Sequence, residues 1–338
     1  MKVFIDAYLY GNLGDDLFVD ILINRYPQVQ FKTISRFYKT DLFNVKVYNT
    51  PLIEVGFFLK KLKNYLMKHT NLTISIGGSM YIEDGDRINN IPHITSPYYI
   101  VGGNFGPYYS QKFYDIHEKL FSEINDVCFR ENYSYELFKH INTVRKAPDI
   151  VFGMETKGLN IIKSRKVVIS VILCQGALSQ YQNIYETKII EMIKYFMSEQ
   201  YEVCLMSFCQ IQGDELAIES ICSKLNQKVS TYYYRGNRKE ALNILADSSI
   251  IVGTRFHANV LGLLLHKTII PISYSKKTDH MLEDVGFDGK VIDLKKIDEV
   301  DVKTLDWQNN SLKSDIQILS KEAQKQFSAI DRVINRND

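Results

Sequence analysis

The chain has 338 residues, 45% of them hydrophobic and 24% charged, with a formal net charge of +2. That length exceeds one ordinary core and sets an expectation of two domains. The composition is that of a folded globular chain, and the near-neutral charge excludes binding driven by neutralisation of nucleic-acid phosphates. Cys128, Cys174, Cys204, Cys209 and Cys222 are odd in number and form no Cys-x-x-Cys pair. They read as buried small hydrophobes in a reducing compartment, not as a disulfide framework or a zinc site.

In chain order, Lys2–Ala7 reads as a first strand and Asp15–Arg25 as a helix with Leu17, Ile21 and Leu22 on one face. Nothing at the start has the apolar core of a signal peptide, and no run of about 20 apolar residues occurs, so the expectation is a cytoplasmic protein. Val55–Met67 has helical spacing: Val55, Phe58, Leu59, Leu62, Tyr65 and Leu66 form a stripe, Lys60, Lys61 and Lys68 lie opposite, and Phe57 is exposed among them. A solvated surface helix fits this, and so does peripheral contact with an anionic bilayer. Strands Leu72–Ile76 and Tyr98–Val101 each run into glycines, and strand Val127–Arg130 precedes a helix over Tyr133–His140. Met154–Lys166 reads as a linker. Strands and helices then alternate again: Val167–Leu173, Ile184–Ser198, Glu202–Ser207, Asp214–Leu225, Val229–Tyr233, Lys239–Ala246, Ser249–Val252, Phe256–Leu265 and Thr268–Ile272. Such alternation predicts an α/β protein of two Rossmann-like, doubly wound domains. Their spans are 1–153 and 166–310, and a polar C-terminal helix over 311–338 packs back on the first.

Ligands of open α/β sheets bind beyond the carboxyl ends of the strands, so the strand-to-helix loops carry the candidates. The sharpest is Val252-Gly-Thr-Arg-Phe-His-Ala-Asn259, which follows a strand and opens an apolar helix with Thr254 as the expected N-cap. A helix N-terminus, the fork of Arg255 and the titratable His257 converge there on an anion. An ion-paired Arg and a core His are the bland alternative. Gly77-Gly78 and Gly102-Gly103-Asn104-Phe-Gly106 end neighbouring strands, where glycines let backbone N–H groups approach a ligand. Arg130 ends another strand, with Ser134 a candidate donor and Asp149 a cap or an orienter of Arg130. Gly11-Asn12-Leu-Gly-Asp15-Asp16 lacks the spacing of a dinucleotide loop, and its aspartates would repel a pyrophosphate. They either cap the helix or face an acceptor hydroxyl. No cluster has metal-ligand spacing, so no metal is expected.

Taken in order, Gly11-Asn-Leu-Gly-Asp15, Gly77-Gly78, Gly102-Gly103-Asn-Phe-Gly106-Pro107, Arg130-Glu-Asn-Tyr-Ser134, Ala147-Pro148-Asp149 and Gly253-Thr-Arg255-Phe-His257-Ala258 resemble the polysaccharide pyruvyl transferase family over about the first 280 residues. Where that family commonly has a third glycine, Arg-Asp, Arg-Leu-His and Tyr-Asp-x-Lys, this chain has Ser79, Arg130-Glu131, Arg255-Phe-His257 and Tyr274-Ser-Lys-Lys277. The resemblance implies a GT-B-like fold and phosphoenolpyruvate as co-substrate, with no bound cofactor. It implies a hexose of a surface glycan (a capsule or exopolysaccharide) or its lipid-linked precursor as acceptor, and a cyclic pyruvate ketal as product. It carries donor binding and catalysis to Arg255 and His257, with Arg130 a second anion clamp. Asp15 is the expected group on the acceptor, and Asn12, Gly77, Gly78, Gly103, Asn104, Gly106 and Ser134 complete the substrate-binding set. The reaction needs a proton on the methylene carbon, addition of one hydroxyl, loss of phosphate and closure by a second hydroxyl. The alternatives are a GT-B glycosyltransferase using a nucleotide sugar and a non-catalytic glycan-binding protein on the same scaffold.

Overall fold

The computed structural model describes residues 1–49, 56–83, 93–308, 310–312 and 314–335. Its chain divides into two compact units: Met1–Tyr10 with Asp15–Met154 and Gln317–Asp338, and Gly11–Gly14 with Glu155–Ile316.

The first unit is built on β1 (Lys2–Ala7), α1 (Leu13–Arg25), β2 (Gln30–Ile34), β3 (Val45–Tyr48), α2 (Gly56–Lys68), β4 (Leu72–Ile76), β5 (Tyr98–Gly103), α3 (Gln111–Glu123), β6 (Asp126–Phe129), α4 (Asn132–Phe138) and β7 (Val144–Lys146). Its seven strands are parallel in the order β3-β2-β1-β4-β5-β6-β7. Inner strands β4 and β5 are buried at every residue, as strands covered on both faces must be. β3 stands at an edge and carries the exposed Lys46, a charge of the kind that discourages further pairing. The strand order reverses direction between β1 and β4, the switch point where such sheets bind ligands.

The second unit repeats the plan with β8 (Lys166–Ser170), α5 (Gln182–Ser198), β9 (Glu202–Ser207), α6 (Asp214–Lys224), β10 (Ser230–Tyr233), α7 (Arg238–Ala246), β11 (Ile250–Gly253), α8 (Phe256–Leu264), β12 (Thr268–Ser273), α9 (Lys276–Asp284), β13 (Phe287–Asp288) and β14 (Ile292–Asp293). Its six-stranded sheet runs β10-β9-β8-β11-β12-β14, so the switch lies between β8 and β11. Every residue of α8 is buried, in keeping with a helix that is apolar around most of its surface.

One expectation is corrected, at the C-terminus. Ser311–Leu312 is a short strand, β15, antiparallel to β13. The terminal helix is two pieces, α10 (Ile316–Ala323) and α11 (Ser328–Ile334), joined by a 3-10 turn. Within the first unit this segment is tied in by Gln326, which is fully buried. Its amide accepts from Gly102 N at 2.9 Å and donates to Ala147 O at 2.7 Å and Pro148 O at 3.0 Å. On α2, Leu66 of the expected stripe is buried, whereas Phe58 and Tyr65 of the same stripe are each 56% exposed. Val55 and the side chain of Phe57 lie outside the described residues. No helix among the described residues is long and apolar enough to cross a membrane.

Candidate active site

In the second unit the β8–β11 register sets Ser170 opposite Gly253. Ser170 Oγ therefore accepts from both Thr254 N (3.0 Å) and Arg255 N (3.1 Å), which fixes the turn into α8. Thr254, expected to cap the helix, does not: Arg255 occupies the cap position without a side-chain cap bond. The Thr254 hydroxyl pairs with the buried Tyr185 hydroxyl of α5 at 3.0 Å. The first N–H groups of any helix lack intrahelical acceptors, and they carry partial positive charge.

Arg255 is 8% exposed and faces a carboxylate that the sequence reading missed. Asp214, the first residue of α6 and fully buried, takes Arg255 Nε at 3.1 Å and a shorter bond from Nη2, while Gln212 takes Nη1. Tyr274, which directly follows β12, lies next to this guanidinium and feels its charge. Burial disfavours the charged guanidinium, but the Asp214 carboxylate outweighs it and raises the Arg255 pKa. Burial likewise pushes the Tyr274 phenol up, yet Lys277 and Arg255 override it and the net shift is downward. Lys277 Nζ stands 5.8 Å from the Tyr274 ring centre and 6.0 Å from that of Phe256. An acidic residue just past the carboxyl end of β9 was the available signal for Asp214. The sequence does not say that it would reach a side chain 41 residues away.

His257, 9% exposed, is the second residue of α8. Its ring stands edge-on to Phe256, the centroids 5.0 Å apart. The segment Gly11–Gly14, placed by sequence in the first domain, clusters with the second unit and explains why the chain has glycine at position 14. A Cβ on Gly14 would stand 1.8 Å from His257 Nδ1, inside any tolerable contact. Asn12 Oδ1 accepts from Gly14 N at 3.0 Å, a cap-like bond. Leu13 N donates to Phe208 O at 3.0 Å, and Asn12 bridges to Cys209. The amides of Phe208 and Cys209 in turn each donate to Asp214 Oδ2 at 2.9 Å. The first and last of the six sequence segments thus meet in one hydrogen-bonded network, Asn12–Cys209–Asp214–Arg255.

The first unit gathers a second set. Arg130 follows β6; its Nη1 donates to Asp149 Oδ2 and its Nη2 to Asn104 Oδ1, both at 2.9 Å. The two charged side chains are 3% and 0% exposed. Burial raises the Asp149 pKa, and Arg130 offsets part of that rise. Asp149 Oδ1 also accepts from Val151 N, so the carboxylate both caps a turn and orients Arg130. A Cβ on Gly78 would fall 2.3 Å from Arg130 Nη2.

The glycine loops were expected to aim N–H groups at a ligand. Instead Gly77 N, Asn104 N and Gly106 N donate to Val101 O, Gly78 O and Tyr81 O, and Gly103 O accepts from Arg130 N at 3.0 Å. Ser134, the expected ligand donor, is fully buried. Its hydroxyl accepts from Phe105 N at 2.7 Å and donates to Glu131, because Glu131 turns back to cap α4. Asp15 lies half-buried in the first turn of α1, beside the fully buried Asp16.

Two parallel-sheet α/β units, each with polar residues converging on the carboxyl edge of its sheet, define a protein of the GT-B fold class. The fold is similar to that of the Methanocaldococcus jannaschii UDP-GlcNAc 2-epimerase in complex with UDP-GlcNAc and UDP, with a TM-score of 0.65 and 9% identity over 99% of this chain and 100% of that one. It is also similar to Anabaena HepE in complex with UDP-glucose, with a TM-score of 0.54 and 13% identity over 98% and 96%. The chain belongs to the polysaccharide pyruvyl transferase family, whose model matches residues 12–276. The amylovoran biosynthesis protein AmsJ of Erwinia amylovora is 22% identical over 271 residues, 71% of this chain and 64% of AmsJ, so the chain spans just under two thirds of that relative's length.

Proposed function

We propose that the chain transfers pyruvate from phosphoenolpyruvate to a hexose of a surface glycan, forming a cyclic ketal, and that the donor binds at the start of α8. The observation that carries this reading is Arg255 and His257 at the switch point of the second sheet, with Arg255 held rigid by Asp214 and Gln212. A guanidinium fixed on one edge by a carboxylate is preorganised and loses little freedom when an anion arrives. The N-terminus of α8 adds its dipole to the same point. His257, facing the donor, is the group that moves a proton or hydrogen-bonds the departing phosphate. Arg130 is a second anion-binding group held by Asp149 and Asn104, and Asp15 is proposed on the acceptor. No bound cofactor enters this reading.

We further propose a lipid-linked acceptor, presented at the inner face of the membrane. Phe58 and Tyr65 are exposed on α2 beside the exposed Lys60, Lys61 and Lys68, a pattern suited to an anionic surface. Flotation with anionic but not zwitterionic vesicles, lost in Phe58→Ser/Tyr65→Ser, tests it; equal recovery with both vesicles would overturn it.

A nucleotide sugar is the competing donor, favoured by structural neighbours that hold UDP-sugars. Thermal unfolding with excess phosphoenolpyruvate, and separately with UDP-glucose and UDP-GlcNAc, separates the two. His257→Ala is the variant to use, because removing Arg255 would strand the buried Asp214. Stabilisation by phosphoenolpyruvate alone, lost in His257→Ala, is the expected result. Stabilisation only by a nucleotide sugar would replace the donor.

A further inference from the structure

The first unit holds a pocket of about 360 Å³ at the switch point between β1 and β4, separate from the Arg130 cluster. It is lined by the end of β1 and the residues after it, by the turn after β2, and by Leu59 and Lys63 of α2. Two kinds of surface meet there. One is aromatic. The Tyr8 and Tyr10 rings lie 4.6 Å apart with a 38° tilt, and Phe37 lies 6.0 Å beyond Tyr10. Arg36 covers Phe37 at 4.8 Å. Tyr8 stays 39% exposed despite its size. The other surface is a charged pair. Asp6 Oδ2 meets Lys63 Nζ at 2.5 Å and accepts from the Tyr98 hydroxyl at 3.3 Å. Both contacts fall on Oδ2 of this four-fifths-buried carboxylate.

We propose that this pocket is a binding site for one pyranose ring of the acceptor, an inference that rests on the glycan-modifying reading above. A pyranose has an aliphatic C–H face and a rim of hydroxyls. The face stacks on Tyr8 and Tyr10, whose flat, amphipathic rings bury it without stranding polar groups. A hydroxyl at the rim donates to Asp6 Oδ1, and a neighbouring one accepts from Lys63, since each hydroxyl is both donor and acceptor. Apolar walls with a few convergent polar groups are the general make-up of small-ligand sites, and the volume lies within their usual range. The opposite charges of Asp6 and Lys63 cancel, and the remaining cation of the lining, Arg36, is stacked on Phe37. The pocket thus selects a ring with two adjacent hydroxyls on one edge, and the hydroxyls elsewhere on that ring are left for chemistry.

Saturation-transfer NMR with the methyl glycosides of glucose, galactose and mannose tests this on wild type, Tyr8→Ala and Asp6→Asn. Tyr8 is exposed enough for its variant to fold, and Asp6→Asn keeps the shape of the pocket. Phosphoenolpyruvate stabilisation is recorded on the same samples. The expected result is contact through ring C–H protons of at least one glycoside, weakened about tenfold or more in both variants, with phosphoenolpyruvate stabilisation unchanged. Glycoside contact sensitive to both substitutions in a protein that phosphoenolpyruvate does not stabilise would keep the pocket and discard the donor. No glycoside contact in wild type, or contact equal in all three proteins, overturns the proposal.

Discussion

Replacing Asp214 by alanine is predicted to damage the second unit more than any surface substitution would, and the structure gives the size. The carboxylate is fully buried, Arg255 is 10% exposed at its side chain, and four donors converge on Asp214: Arg255 Nε and Nη2, Phe208 N and Cys209 N. Removing one partner of a buried ion pair costs about 3–5 kcal/mol because the other charge is left without compensation. Two stripped backbone amides add to that, which places Asp214→Ala near about 5 kcal/mol. Arg255→Met leaves Asp214 its two amide donors, so about 3 kcal/mol is expected. The double variant removes both charges, and it should cost at least about 2 kcal/mol less than the sum of the singles. The assay is urea unfolding followed by the fluorescence of Trp307. It is the chain's single tryptophan and packs against the core of the second unit, so it reports that unit. A cost below about 1 kcal/mol for Asp214→Ala, or strict additivity in the double variant, would refute the reasoning.

Further substitutions probe the same account. Gly14→Ala should cost about 1–3 kcal/mol through collision with the His257 ring and lose phosphoenolpyruvate stabilisation as fully as His257→Ala does, since the new methyl takes the place of that ring. Retained stabilisation would separate Gly14 from the site. Gly78→Ala should destabilise the first unit by about 1–3 kcal/mol through collision with the Arg130 guanidinium, read by near-ultraviolet circular dichroism; an unchanged midpoint would contradict the packing. Ser170→Ala should cost about 1–3 kcal/mol by the Trp307 assay, because Thr254 N and Arg255 N lose their acceptor. Gln326→Leu should cost more than about 2 kcal/mol, measured on the first unit, because it frees the backbone at Gly102, Ala147 and Pro148 next to Asn104 and Asp149. A smaller loss would mean the C-terminal segment is not what ties them.

Parallel inner strands were legible because they are buried on both faces. Lys2–Ala7, Leu72–Ile76 and Glu202–Ser207 are apolar runs whose ends the structure reproduces. β2 and β3, at one edge of the first sheet, escaped because Gln-Phe-Lys-Thr-Ile and Val-Lys-Val-Tyr carry the polar residues an edge tolerates. Helices α3 and α9 begin in polar stretches and were missed as well. Of the candidate residues, Arg130, Arg255 and His257 stood out because chemistry-bearing side chains sat at strand ends. Their partners were harder to foresee. Asp149 was seen as an orienter of Arg130, but Asp214 and Gln326 act on residues 41 and 224 positions away. The glycines were visible as glycines; that Gly14 and Gly78 yield their space to His257 and Arg130, instead of to a ligand, depends on packing that no local spacing encodes.

The central claim, that the start of α8 binds the pyruvyl donor, is tested most directly by calorimetric titration of phosphoenolpyruvate into wild type and His257→Ala. One site per chain in wild type, weakened about tenfold or more in the variant, is the predicted result. Absence of binding in wild type, or equal affinity in both proteins, would contradict it.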